Sequence, residues 1–244
     1  MNVSFLSLLK SVASRKGLSY EDGQVPDAEA RAVAQALTQV CRVVYDFYPW
    51  PWTCYYVQTT GDDSLYLDPL SKLLDVWKED PVAAWAAGRR VPARVKFLEM
   101  GDGVRLLNAP GVEVTAGTPT PLVNYELWLL YQRGAPRFDI TPYDDATYYD
   151  AGDVIFTGTK DCRRAQVAGL GSEITADGRW LDQTVPEELE QTVLAGVEQW
   201  FAGTDGRPMG AQALRLAMQE RMEETMRALI ETRGQYTGQG PGHR

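Results

Sequence analysis

Histidine is almost missing from this chain of 244 residues: the one present, His243, stands next to the last residue in a glycine-rich tail. A Ser-His-Asp triad, a Cys-His pair and most zinc sites need a histidine within the folded part. Those chemistries therefore lack their central residue. Cysteine is scarce too. Cys41, Cys54 and Cys162 are odd in number and widely spaced, which fits neither a disulfide framework nor a zinc motif and points to production in a cytosol. Positive charge is in deficit, with 24 basic against 33 acidic residues and a formal net charge of −9. A dedicated nucleic-acid binder needs a basic footprint. An acidic surface can still be one that DNA passes without sticking. No run approaches the roughly 18 apolar residues of a membrane span. At the start, no basic residue precedes Phe5 and Lys10 interrupts the apolar patch, so a short amphipathic helix is expected rather than a secretion signal. Neither a Walker loop nor a dinucleotide-binding glycine pattern is present. The sequence thus carries no catalytic signature, no metal-ligand set and no cofactor motif. A non-enzymatic role is expected.

What is there begins with Asp27 to Trp52, the stretch that organises the rest. Ala30, Val33, Leu37, Val40, Cys41, Val44 and Tyr48 recur at spacings of three and four, which places them on one face of a helix over about 27–48. Arg31, Gln35, Gln39, Arg42 and Asp46 fall mainly on the other side. Asp27 and Glu29 suit the positive end of the helix dipole. Pro49 and Pro51 stop the helix, since each lacks an N–H and biases its predecessor towards extended backbone. Trp50 and Trp52 flank Pro51. They either anchor the helix in the core or form a contact between subunits.

A first helix is expected over residues 3–15, with Phe5, Leu6, Leu9 and Val12 on one face, followed by a polar loop over 17–26. From Thr53 the texture changes. Cys54 to Thr59 is aromatic and β-branched and reads as a strand. Gly61-Asp62-Asp63 reads as a turn. Leu70, Leu73, Leu74 and Trp77 suggest a short helix or an irregular turn. Residues 91–98 and 103–107 could form a hairpin, and 112–115 and 124–131 continue the strands. In the last of these both faces are mostly apolar, as in a strand covered on both sides. Residues 116–121 form a loop. Residues 143–183 look like a separate small β unit, with Val154-Ile155-Phe156 and Cys162 onward as a hairpin around 157–161. Gly152 there answers a backbone need and Asp153 stabilises a turn.

Helix returns at Thr184-Val185-Pro186-Glu187, which matches a capping box. Leu189, Val193, Val197, Trp200 and Phe201 give its apolar face. Residues 203–208 break it. A last helix over about 209–233 carries Leu214, Met218, Met222, Met226 (or Thr225) and Leu229 as its stripe, with methionine as core filler. Glu223 and Arg227 make a favourable i,i+4 pair. The fold class expected is α+β: a discontinuous helical bundle from residues 1–52 and 184–233, a β-rich insertion at 53–142, the small β unit at 143–183, and an extended tail at 234–244. A tail of Gly, Gln and Pro orders only against something that holds it, such as a neighbouring subunit.

In layout and local texture the chain resembles the head-to-tail connector, adaptor or neck proteins of tailed bacteriophages, including the tail-tubular type. The residues that carry this are the opening SFLSLLKSVASRKGL, the AEARAVAQALTQVCRVVYDFYPWPW helix and turn, YDAGDVIFTGTKDCRRA, and Trp180-Leu181-Asp182-Gln183-Thr184-Val185-Pro186 before the helical hairpin. The resemblance implies a virion protein, made in the bacterial cytoplasm, whose copies form a ring, usually of twelve. Such a ring sits beneath the portal protein, continues the DNA channel, and offers a platform to tail or nozzle proteins. It implies no cofactor and no membrane. Residues 148–180 are also similar to the short chitin-binding carbohydrate module, with Cys162 where that module has tyrosine. The alternative function is accordingly a carbohydrate-binding or host-contact module, with Tyr148, Tyr149 or Trp180 as an exposed aromatic row.

For a ring subunit the expected partner contacts are Trp50 and Trp52, Arg89 and Arg90 of the basic cluster that includes Arg94 and Lys96, and Tyr236, His243 and Arg244 of the tail. The basic cluster has a second reading, as salt-bridge partners of acidic neighbours. Among carboxylates, only the acidic loop of Asp144, Asp145, Asp150 and Asp153 offers candidates for catalysis, and it reads as a solvated turn.

Overall fold

The computed structural model describes residues 2–16, 27–59, 64–65, 72–78, 80–81, 94–100, 103–106, 113–115, 120–121, 127–157, 162–166, 168–172, 180–203 and 210–237. The loops expected at 17–26 and 61–63, residues 116–119 of the loop expected at 116–121, residues 158–161 of the one expected at 157–161, and most of the helix break at 203–208 lie outside them; Thr120–Pro121, expected as loop, is a short strand paired with Ser64–Leu65. In chain order the elements are β1 (Asn2–Ser4), α1 (Phe5–Lys16), α2 (Asp27–Phe47), a 3-10 turn (Pro51–Thr53), β2 (Cys54–Thr59), β3 (Ser64–Leu65), β4 (Lys72–Trp77), β5 (Phe97–Met100) and β6 (Gly103–Leu106). There follow β7 (Glu113–Thr115), β8 (Thr120–Pro121), β9 (Leu127–Gln132), β10 (Tyr148–Tyr149), β11 (Val154–Phe156), β12 (Cys162–Ala165) and β13 (Gly169–Leu170). The chain closes with β14 (Trp180–Asp182), β15 (Thr184–Pro186), α3 (Glu187–Phe201) and α4 (Ala211–Thr237). The class is α+β. Two compact units form, one from Met1–Tyr48 with Thr184–Arg244 and one from Pro49–Gln183.

The first unit is helical. Of the expected face of α2, Ala30, Val33, Leu37, Val40, Cys41 and Val44 are buried, whereas Tyr48 follows the helix end at Phe47 and is half-buried. Ala34, Ala36, Val43 and Tyr45 are buried as well, which widens the stripe. The wider stripe follows from the neighbours, because α2 packs on α1, α3 and α4. Burial of Cys41 raises its thiol pKa far above the usual range. Gly196 of α3 marks a close approach: a Cβ there would lie 2.5 Å from Met218 Cε and 2.6 Å from Val40 Cγ1. Leu214, Met218 and Met222 of α4 are buried at spacings of four. The Thr192 and Thr225 hydroxyls share a hydrogen bond of 3.0 Å between α3 and α4. Glu223 and Arg227 form the expected pair at 3.3 Å. The last helix continues to Thr237, past the expected end at 233.

Two expectations are corrected in this unit. The first helix starts at Phe5, because Asn2–Ser4 is a strand paired antiparallel with Thr184–Pro186. Thr184 is therefore spent in a ladder and caps nothing; α3 begins after Pro186 without a side-chain cap. Val3 faces Val185 across this ladder, a β-branched pair suited to it. At α1, Ser4 Oγ accepts the Ser7 N–H at 3.3 Å and so acts as the N-cap. Arg15 ties α1 to α3, donating to Glu198 Oε1 at 2.6 Å and to Gln191 Oε1 at 3.0 Å.

In the second unit β9 is the central strand of a three-stranded antiparallel sheet, flanked by β2 and β4. The expected helix or turn around Leu73 and Trp77 is in fact β4. The register shifts between Leu73 and Asp75, so one extra residue bulges out. A bulge turns the alternation of a strand into a spacing of three, and Leu73 and Val76 are both buried. That spacing imitates a helix in the sequence. The hairpin of β5 and β6 forms with Met100 opposite Gly103, and β7 adds to β6. β11, β12 and β14 make a further three-stranded sheet, and β10 pairs with β13.

Candidate functional site

The aromatic turn after α2 is built on proline and threonine. Pro51 opens the 3-10 turn, where its missing N–H costs nothing. The Thr53 N–H and hydroxyl both donate to the Trp50 carbonyl, at 2.8 Å and 2.7 Å. Arg133 N–H donates to the Thr53 carbonyl at 2.8 Å, which ties the turn to the end of β9. The Trp50 and Trp52 rings stack 6.3 Å apart at 16°. Trp50 is fully buried and Trp52 half-buried. Of this pair, only Trp52 leaves surface for another molecule.

Of the basic cluster, Arg94 pairs with Asp75 at 3.1 Å, and Lys96 is exposed. Arg89 and Arg90 lie outside the described residues, as do His243 and Arg244. Tyr236 stands in the last turn of α4. Of the seven expected contact positions, the described residues bring together Trp50 and Trp52.

The small β sheets are organised by three rings. Tyr143 and Tyr149 stack 6.3 Å apart, and Trp180 meets them edge-on at 86° and 75°. These rings pack against buried Ile155 and Ala165 as a core. The Tyr149 hydroxyl accepts the Asp144 N–H at 2.9 Å and donates to the Asp144 carbonyl at 3.1 Å. Tyr148 points the other way and is 62 % exposed, with Leu170 as its cross-strand neighbour. Rings that cross at these angles do not share a plane. In the Ala151-Gly152-Asp153 turn, Gly152 has φ +100° and its N–H donates to the Ala165 carbonyl at 2.8 Å. Asp153 Oδ2 accepts the Asp150 N–H at 2.8 Å. Cys162 is buried and its thiol donates to the Asp139 carbonyl at 3.0 Å. The Asp144 carboxyl is held below its ordinary pKa by the Ala146 N–H and then by the Thr147 hydroxyl. A general acid needs the opposite shift. Among the described residues no group of His, Cys, Asp or Glu is placed to hold a metal ion.

A surface that the sequence did not single out lies on the helical unit. The outward side of α2 carries two depressions. One, of about 420 Å³, is lined by Ala28, Arg31, Ala32 and Gln35. The other, of about 590 Å³, is an open groove between α2 and α4. Gln39, Arg42 and Asp46 form one wall, and Gln212, Arg215 and Leu216 the other. Leu216 is 68 % exposed, more than any other large apolar side chain among the described residues. The polar side of α2 was legible from its period, but the pairing with Arg215 and Leu216 needed the tertiary structure. Among the described residues no helix is long and apolar enough to cross a membrane. No protein-family model matches the chain, and no curated protein matches it.

Proposed function

We propose that this chain is a structural virion protein, a subunit of a homo-oligomeric ring that joins the portal to the tail of a tailed bacteriophage and continues the DNA channel. Its work is mechanical, without catalysis or cofactor. The observation that supports this most directly is the interrupted helical unit. Both ends of the chain build one helical body, while residues 49–183 form a second, β-rich unit. A ring subunit uses such a division: stiff helices for contact between copies, and a separate unit for tail parts. The net charge of −9 suits a channel wall, since like charge weakens adhesion to DNA. The portal, a tail or nozzle protein and further copies of the chain are the partners; DNA passes without specific binding.

The test is the native mass by light scattering, together with imaging of intact particles. A ring in solution, or a monomer that becomes a ring only on portal-bearing particles, is the expected result. A stable monomer that never joins particles and instead binds polysaccharide would overturn the proposal.

A further inference from the structure

The outward stripe of α2 and the start of α4 carry arginines on an acidic protein. Among the described residues, Arg31, Arg42 and Arg215 line its two depressions, with Asp46 as the one acid. Arg42 and Asp46 form an exposed i,i+4 pair at 3.9 Å, so among the described lining residues Arg215 leaves the α2–α4 groove with one net positive charge. Leu216, at 68 % exposure, adds an apolar anchor beside these charges. The complement lies on another element of the same unit. The first turn of α3 carries Glu187, Glu188 and Glu190, the first two exposed. Farther along α3, Glu198 is already engaged by Arg15 of α1. The acids of α3 are concentrated at the start of the helix.

We infer that the α2–α4 groove is the docking surface for the acidic start of α3 in a second copy of this chain. The inference rests on the homo-oligomeric reading above and names the surfaces it would use. Charge complementarity selects the occupant: the groove is cationic, and the chain that carries it supplies an acidic helix face elsewhere. The two patches differ, so copies joined through them head-to-tail have the geometry that closes rings. Leu216 would be covered in the contact, and the charges would fix its register.

A charge swap tests this on the full chain. One variant carries Arg42→Glu and Arg215→Glu; the other carries Glu187→Arg and Glu188→Arg. All four side chains are exposed, and melting curves show whether each variant keeps its fold. Each alone should self-associate at least roughly a hundredfold more weakly than the wild type, because like charges then face each other. An equimolar mixture should recover association, since each reversed patch meets an opposite one. Leu216→Glu should weaken association without any change of fold, and added salt should weaken the wild-type contact. If the wild type associates and the reversals leave it unchanged, this surface is wrong while the ring reading stands. If the wild type stays monomeric both in solution and on particles, the ring reading fails and takes this inference with it. Duplex DNA bound at the groove, lost on Arg reversal with self-association unaffected, would replace the second copy by a nucleic acid.

Discussion

Two glycines are required for opposite reasons, and their substitutions separate packing from backbone strain. At Gly196 a Cβ would meet Met218 Sδ and Val40 Cγ1, both at 2.6 Å. Met218 can swing aside, but a β-branched valine in a helix is stiff at χ1. Gly196→Ala should therefore destabilise the fold by about 1–3 kcal/mol through overpacking. Val40→Ala in the same chain should recover part of that loss, which denaturant melts of the double-mutant cycle would read. At Gly152 a Cβ would touch nothing within 4 Å, yet φ is +100°. Gly152→Ala should also cost about 1–3 kcal/mol, but from the backbone alone, so no shortening of a neighbour should rescue it. Asp144 gives a pH signature. Its folded pKa lies below the ordinary 3.8, owing first to the Ala146 N–H and then to the Thr147 hydroxyl. The stability these bonds contribute is present in full above the unfolded pKa and is lost as the pH falls through the lower folded one. Asp144→Asn should flatten that acid limb of the melting temperature against pH, and an unchanged limb would assign it to other carboxylates.

Between elements, the clamp of Arg15 on Glu198 and Gln191 is the polar tie between α1 and α3. Its ionic side chains are 39 % and 51 % exposed, so water and salt screen it. Arg15→Ala should cost only about 0.5–1 kcal/mol, with hydrogen exchange rising first in the last turn of α1. The larger holding force is the buried face of Phe5, Leu8, Leu9 and Val12. Such faces are also what a sequence displays best. α2 was legible almost to the residue because one period runs unbroken from Ala30 to Val44 and prolines end it. β4 was not, because its bulge replaced the period of two by a spacing of three. The Thr184 to Glu187 pattern reads as a cap, but its outcome depended on Asn2–Ser4, far away in sequence, offering a ladder. In the sequence Trp50 reads as either core or contact, and burial places it in the core. The groove was half legible: Arg31, Gln35, Gln39 and Arg42 show as a polar face, while Arg215 and Leu216 join them only through helix packing.

For the molecule as a whole, the question is which parts hold the fold and which are free for assembly. α3 and α4 run antiparallel, since Thr192 meets Thr225 and Gly196 adjoins Met218. At 1.5 Å per residue, α4 continues about 18 Å beyond Thr225, whereas α3 reaches back only about 7.5 Å from Thr192 to its start. The end of α4 therefore projects about 10 Å past the start of α3. Among the described side chains of α4, the fully buried ones, Leu214, Met218 and Met222, all lie well before that point. A chain ending at residue 233 should thus melt close to the full-length protein, with a loss far smaller than that of Gly196→Ala. On the ring reading, the same truncation should impair assembly, because the removed segment, with Tyr236, His243 and Arg244, is the part that reaches the portal or an adjacent copy. Thermal melts and native mass read the two effects separately. A melting shift as large as that of a core substitution would make the segment part of the fold, and unimpaired rings would remove it from the contact.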